Sequence, residues 1–442
     1  MPATDSTAAV EAVFRMEFPR VVASLTRAVG DIDLAEQLAQ DALVDALRQW
    51  PDDGTPRNPG AWLTAVGKRK AIDLFRRDRT LRTKYAQLGR ELELGSSIVE
   101  AVDDAIDLDP ERIDDDRLRL MFVACHPVLP VPARVALTLR LVGGLTTTEI
   151  ARAYVLPEPT VAQRIVRAKK TIAKASVLFE VPTGDDRASR LGDVLEVIYL
   201  VYNEGYSATT GDEWLRPELC HEALRLGRVL AGLAPDEAEV HGLVGLMEFQ
   251  SSRLRARVGP NGAPVLLNDQ DHRLWDRLLI ARGEAALARA DELSPARGPY
   301  ALQAAIAACH ARVFRPEETD WDELVTLYTE LARVAPSPIV ELNRAVVVSR
   351  AGGPAAGLDL VNLLVATGTL ERYHLLYSVR GDLLDQLGRH AEAAQEFERA
   401  AALAQNEPER ALSAGRAEES RARAASEPGV TARGTPSRSD NQ

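Results

Sequence analysis

Segment 143–174 constrains the fold of this chain most, because it holds two short helical patterns separated by prolines. Thr146 and Glu149 have the spacing of a capping box, which predicts the start of the first helix. Pro157 ends this helix, since the residue before a proline is pushed out of the helical region. Thr160 is a candidate N-cap for the next helix. The segment therefore predicts two helices joined by a tight turn.

The second of these helices has an apolar side and a cationic side. Apolar residues at helical spacing predict a buried stripe, and the cations follow the opposite face. A basic helix behind a tight turn is how helix-turn-helix proteins enter the major groove of DNA. An ordinary helical hairpin with a solvated basic face has the same pattern. The stripe is Val161, Ile165, Ala168 and Ile172, and the cations are Arg164, Arg167, Lys170 and Lys174.

Residues 34–50 form another amphipathic pattern. An apolar stripe from Leu34 to Trp50 predicts a helix. A loop with proline and glycine follows at 51–60, and then a helix that begins near Ala61. Its continuation, residues 68–90, holds nine Lys or Arg against two Asp, a density suited to phosphate contacts. The predicted acidic, hydrogen-bonding side of the first helix is Glu36, Gln37, Gln40, Asp41 and Asp45.

These motifs carry a family resemblance. Residues 33–50 and 60–79 resemble region 2 of bacterial sigma factors of the extracytoplasmic-function (ECF) type, and residues 137–175 resemble their region 4. The two occur in the family's order, separated by an acidic linker. The resemblance covers about residues 8–180.

The resemblance implies a role for each motif. The helix 34–50 is expected to dock on the clamp of the RNA polymerase core, through Gln37, Gln40, Asp41, Leu43 and Asp45. The loop 51–60 and the following helix are expected to capture the −10 promoter element, through Trp62, Lys68, Arg69, Lys70, Arg76 and Arg77. The second helix of the helix-turn-helix is expected to read the −35 element, through Thr160, Gln163, Arg164, Arg167 and Lys170.

Charge is distributed unevenly along the chain. The whole chain carries a net charge of −12, residues 1–180 carry −1, and residues 91–116 hold eleven acids and one base. We hypothesise that this arrangement suppresses DNA binding by the free protein until polymerase separates the two basic helices.

In a sigma factor, the polymerase supplies the chemistry of RNA synthesis. We therefore expect no catalytic residue, no metal and no cofactor in this chain.

Three cysteines each precede a histidine, at 125–126, 220–221 and 309–310. Adjacent side chains on a helix point about 100° apart and no Cys-x-x-Cys pair occurs, so metal or redox chemistry is disfavoured. We predict that the cysteines are buried as small apolar side chains.

The C-terminal half reads as further helices. Helix 191–199 is expected to break at 202–207, where Asn, Gly and Ser favour a turn. Later, a series from Tyr377 to Ala400 has the spacing of a tetratricopeptide (TPR) repeat, Ala345 to Gly357 has a similar outline, and 299–333 is a weaker third candidate. Such helical pairs bind protein or peptide partners, although a helical bundle without a ligand has the same pattern.

ECF sigma factors with a long TPR-like C-terminal extension form a group that this chain resembles over nearly its whole length. The resemblance implies an all-α protein with an extension that regulates activity. The predicted segments are region 2 (8–88), an acidic linker (89–113), region 4 (114–180), a helical extension domain (188–298), TPR-like repeats (299–406) and a disordered tail (407–442).

The sequence therefore predicts a sigma factor that directs polymerase core to promoter DNA. The alternative is a stand-alone helix-turn-helix regulator with a TPR sensor domain. An enzyme in 190–330 is disfavoured, because its candidate groups Glu204, His221, His241 and His272 lack ligand or triad spacing. No long apolar run or signal peptide is present, so we expect a cytoplasmic protein without a membrane span.

Overall fold

The computed structural model describes residues 3–86, 110–154, 156–207, 215–259, 264–404 and 407–426. Within these ranges the secondary structure is helical apart from one isolated antiparallel bridge between Val258 and Pro264. The all-α prediction is confirmed. The described residues up to 207 and from 215 to 247 form one compact unit and those from Glu248 onward belong to a second, so the predicted domain 188–298 is divided. Most of the predicted acidic linker, residues 89–109, lies outside the described residues.

The first unit contains the helices of both predicted sigma regions and the start of the extension. They are α1 (Ala3–Val29), α2 (Ile32–Asp53), α3 (Pro59–Ala86), α4 (Pro110–Ala124), α5 (Val131–Leu141), α6 (Thr147–Ala153), α7 (Glu158–Lys174), α8 (Gly184–Tyr206), α9 (Pro217–Leu233) and α10 (Ala238–Ser252), whose last turn belongs to the second unit.

The second unit continues with eight α-helices in the described residues. They are α11 (Arg277–Leu293), α12 (Pro299–Arg312), α13 (Trp321–Val334), α14 (Pro338–Gly352), α15 (Pro354–Thr367), α16 (His374–Gln386), α17 (His390–Leu403) and α18 (Glu407–Ser426).

Helix α2 is longer than predicted. The Asp31 side chain accepts from the Leu34 N–H at 2.9 Å and caps the first turn. The helix ends at Gly54, where φ is +82°, and its N–H donates to the Trp50 carbonyl at 2.9 Å. The predicted loop 51–60 is therefore reduced to residues 54–58, since the helix continues through Pro51 to Asp53 and α3 begins at Pro59.

The helix-turn-helix is present as predicted, with one correction. Thr146 and Glu149 form the capping box of α6, and the predicted stripe of α7 is buried. The prediction that Thr160 caps α7 is wrong. The helix begins at Glu158 with Pro157 as N-cap and Pro159 in its first turn. A proline there has the helical φ already and needs no N–H partner.

Helix α8 also runs further than predicted, since residues 202–206 are helical and the helix ends at Ser207. Gly205 allows this, because α9 begins directly against it. A Cβ at Gly205 would lie 2.7 Å from the Cys220 backbone nitrogen. The close approach explains a glycine inside a helix, which otherwise costs stability.

The predicted TPR-like pairs are α14 with α15 and α16 with α17. In the later pair, Gly381 lies against the ring of Phe397, and a Cβ at Gly381 would be 2.9 Å from that ring. In the earlier pair, a Cβ at Gly357 would be 2.5 Å from the Cβ of Ser349. Small residues therefore let both pairs pack closely, as the repeat pattern predicts.

The predicted disorder of residues 407–442 is wrong for 407–426, which form α18. The buried side of α18 consists of small residues, Ser413, Ala417 and Ser420. Leu412 is the one large apolar side chain of this segment. This scarcity did not prevent packing, because Ala, Glu and Arg are good helix formers and small residues permit close contact. The remainder of the predicted tail lies outside the described residues.

Candidate nucleic-acid interface

The predicted docking side of α2 is largely exposed. Gln37, Gln40 and Asp41 lie on the surface, and Leu43 and Asp45 are half-buried. Val44 lies among them with 43% of its side chain exposed. The helix therefore presents polar groups around one apolar side chain, a composition suited to a protein partner.

Glu36 does not lie on this exposed side, contrary to the sequence-based prediction. Its carboxylate is buried and accepts from the Arg140 Nε at 2.6 Å. It also accepts from the ammonium group of Lys169, which donates to Asp33 at 2.8 Å as well. Arg140 lies on α5 and Lys169 on α7, so Glu36 joins the docking helix to the helix-turn-helix.

Lys169 is a residue that sequence reasoning missed. Only 10% of its side chain is exposed. Burial lowers the pKa of Lys169, but Glu36 and Asp33 outweigh burial and raise it above its usual value. The lysine is therefore charged in this arrangement. The sequence indicates that Lys169 lies beside the buried stripe of α7. It does not indicate the partners of Lys169, which are more than 130 positions away in sequence.

A second ion pair joins regions 2 and 4. Asp116 on α4 is fully buried, and its carboxylate lies 3.1 Å from the Nε of Arg27 on α1. A charge this deep requires an opposite charge beside it. Together with the Glu36 cluster, this pair holds the two regions in one closed arrangement.

The predicted −10 residues on α3 divide into two groups. Trp62 is half-buried and packs edge-to-face on Trp50, with ring centroids 5.3 Å apart. Two of the predicted DNA-binding lysines instead contact other residues of the protein. Lys68 is buried within the packed face of α3, and Lys70 pairs with Asp45 at 2.9 Å. The prediction of a DNA-facing side chain is therefore wrong for Lys68 in this conformation. The exposed members of the set are Arg69, Arg76 and Arg77.

The predicted −35 residues lie together on the solvent side of α7. The side chain of Arg164 is half-buried and the others are exposed. Because the buried stripe holds the opposite side against the protein, this face is available to a ligand. The exposed members are Thr160, Gln163, Arg167 and Lys170.

All three cysteines are buried and unbridged, which confirms the prediction of small apolar side chains. The Cys125 sulfur lies 3.3 Å from the Thr138 hydroxyl, and burial raises the pKa of the Cys125 thiol to about 12. Burial likewise raises the pKa of Cys309 to about 12. These thiols are therefore protonated and unreactive at neutral pH.

Comparison with protein families gives three matches along the chain. Residues 13–80 match sigma-70 region 2, residues 119–172 match sigma-70 region 4, and residues 190–291 match a family of unknown function, DUF6596. Among the described residues, no helix is long and apolar enough to cross a membrane.

Two individual proteins are also similar to this chain. Uncharacterized protein R00370 of Rhizobium meliloti (strain 1021) is 47% identical over 396 residues, which cover 89% of this chain and 91% of that protein. The ECF RNA polymerase sigma factor SigK of Mycobacterium ulcerans (strain Agy99) is 27% identical over 147 residues, 33% of this chain and 74% of that protein.

Among solved structures, yeast Tom70 is similar to this chain with a TM-score of 0.36 and 10% identity, covering 96% of this chain and 85% of that one. The family matches place both cationic helices in sigma-70 regions, followed by a helical extension that matches a separate family. The chain therefore contains sigma-70 regions 2 and 4 followed by a DUF6596 extension, an arrangement that fits an ECF sigma factor with a C-terminal extension.

Proposed function

We propose that this protein directs RNA polymerase core to specific promoters, with α2 docking on the clamp, α3 engaging the −10 element and α7 reading the −35 element. The observation that carries the proposal is the exposed face of α7, which presents Gln163, Arg167 and Lys170 beside the turn of a helix-turn-helix. Amide and guanidinium groups read base edges, and ammonium groups bind phosphates.

Run-off transcription tests this proposal. Purified core polymerase is mixed with the protein and a template carrying the promoter of its own transcription unit. Transcription that requires the protein is the expected result. Robust binding to duplex DNA with no effect on core polymerase would refute it and would indicate a stand-alone regulator.

The closed arrangement bears on how the free protein behaves. The −10 and −35 elements are about 25 base pairs apart, or about 85 Å along the duplex. In the closed arrangement, Lys169 of α7 contacts Glu36 of α2 directly. Both elements cannot be bound while this contact exists. We infer that polymerase separates the two regions, and that the free protein binds promoters weakly.

The C-terminal helical pairs form the regulatory part of this proposal. The α14–α15 and α16–α17 pairs share one buried core around Leu342, Tyr377 and Phe397. Stacked pairs of this kind present an extended surface to a protein or peptide partner. Removal of residues 299–442 should therefore change the response of transcription to that partner. Identical regulation of the shortened and the full chain in cells would contradict this role.

A further inference from the structure

Three helices of region 4 end against arginines that come from the extension. The last carbonyls of an α-helix have no partner within the helix, and cations near this end also interact favourably with the helix dipole. At each of these ends, a guanidinium group donates to a backbone carbonyl. The pairs are Arg190 with Phe122 at the end of α4 (2.7 Å), Arg225 with Val142 and Gly143 after α5 (3.3 and 3.4 Å), and Arg216 with Ala153 at the end of α6 (2.7 Å).

The contact at Ala153 is the most informative of these. In a continuing helix, this carbonyl would accept from the N–H of the residue four places on. That residue is Pro157, which has no N–H. The Arg216 guanidinium supplies a donor at this place, between the two helices of the helix-turn-helix.

Arg216 is itself held firmly. Only 8% of its side chain is exposed, and its Nη1 lies 2.5 Å from the Glu204 carboxylate on α8. Its backbone N–H donates to the Gly205 carbonyl at 2.7 Å. A buried guanidinium is costly without such partners, so its position relative to Ala153 is well defined.

We propose that Arg216 is a positioning residue for −35 recognition: it fixes the end of α6 and thereby the direction in which α7 leaves the turn. The donors to the last carbonyls of the region 4 helices therefore come from α8, from α9 and from Arg216 directly before α9. This rests on the proposed role of α7 and adds a residue outside the matched region 4, which ends at 172.

Full-length variants test this in two ways. Arg216→Met removes the donor and retains an unbranched side chain. Arg187→Met is the matched control, since Arg187 lies on α8, which follows region 4, but pairs with Glu237 at 3.1 Å. The first measurement is transcription with polymerase core on a cognate −35 element divided by that on a scrambled one. We expect Arg216→Met to lower this ratio about tenfold, which corresponds to about 1.4 kcal/mol, and Arg187→Met to leave it unchanged. A merely structural loss of stability would lower both activities equally.

The second measurement needs no DNA. Hydrogen exchange of the free protein over residues 153–161 should accelerate about tenfold in Arg216→Met and stay unchanged in Arg187→Met. Unchanged exchange in Arg216→Met would overturn the proposal whatever the promoter result. Accelerated exchange in a protein whose wild type shows no −35 preference would instead refute the proposed role of α7.

A further variant covers a failure of Arg216→Met to fold. Arg216→Lys retains the charge beside Glu204 but replaces the planar fork by one ammonium group. We expect a smaller change in the same direction in both measurements. Wild-type values in both would overturn the proposal.

Discussion

Lys169 offers the sharpest test of the closed arrangement. Replacing it with Met removes both of its carboxylate contacts but leaves Arg140 to neutralise Glu36, so no buried charge is stranded. Its hydrogen bond to the buried Glu36 contributes about 1.5–3 kcal/mol. The pair with Asp33 contributes about 0.5 kcal/mol, because the Asp33 side chain is 60% exposed. The relief of lysine desolvation offsets part of this. Lys169→Met should therefore lower the free energy that favours the closed arrangement by about 2 kcal/mol, which shifts the equilibrium about 30-fold from closed to open.

Energy transfer between two dyes measures this shift. Because the native cysteines are buried, new cysteines at the exposed positions Arg48 and Lys174 can be labelled selectively. Transfer efficiency in the free protein should fall in Lys169→Met. Lys170→Met is the control, since Lys170 is the next residue of α7 but faces solvent, and it should leave transfer unchanged.

A double-mutant cycle with Glu36→Gln separates the direct pair from indirect effects. Glu36→Gln leaves Arg140 and Lys169 without their buried carboxylate and should open the protein further than Lys169→Met alone. The double variant should shift the equilibrium from closed to open by less than the sum of the two single shifts, since each change removes the same contact. Wild-type transfer efficiency in a folded Lys169→Met protein, with no coupling in the cycle, would refute the reasoning.

Three further predictions concern other parts of the chain. Asp41→Ala should weaken association with polymerase core without changing the melting temperature, and unchanged association in a pull-down would remove the proposed docking surface. Gly381→Ala should destabilise the second unit by about 1–3 kcal/mol in urea unfolding, because its new Cβ meets the Phe397 ring. Gly415→Ala, whose Cβ meets nothing within 4 Å, should instead stabilise by about 0.5–1 kcal/mol; equal effects would contradict the packing argument. Burial lowers the pKa of His310 from 6.5 to about 4, so the unfolded chain binds more protons between these values, and stability should fall as pH decreases from 6.5 to 4, by about 3 kcal/mol. His310→Gln should flatten this part of the profile, and an unaltered profile would count against the assignment.

Local signals were sufficient for the elements of the site. The Thr146–Glu149 capping box and the stripe of α7 involve residues within one helix, so their spacing in sequence determines their geometry. The same holds for the close contact of Gly381 with Phe397, which are only 16 positions apart in one helical hairpin. Sequence reasoning fails where the partner is distant. Nothing in residues 33–50 indicates that Glu36 meets cations from α5 and α7.

The family resemblance also misled the prediction of surfaces. It implies that Lys68 in the basic run of α3 faces DNA, but Lys68 lies in the buried face of α3 with Leu63 and Ala71. The exposed cations of that run are those on the opposite side of the helix. For α18, the opposite error occurred, since a segment with a single large apolar residue still packs through Ser413, Ala417 and Ser420.

Helix α18 has a consequence for how the repeats behave in solution. It covers the end of the α16–α17 pair, where Arg416 lies over the Phe397 ring at 4.4 Å and Ser420 donates to Asp385 at 3.0 Å. An uncovered helical pair would offer the same surface to the first pair of another molecule, and such head-to-tail contacts do not close on themselves. The small side chains of α18 therefore close this end of the stack, as terminal capping units do in repeat proteins.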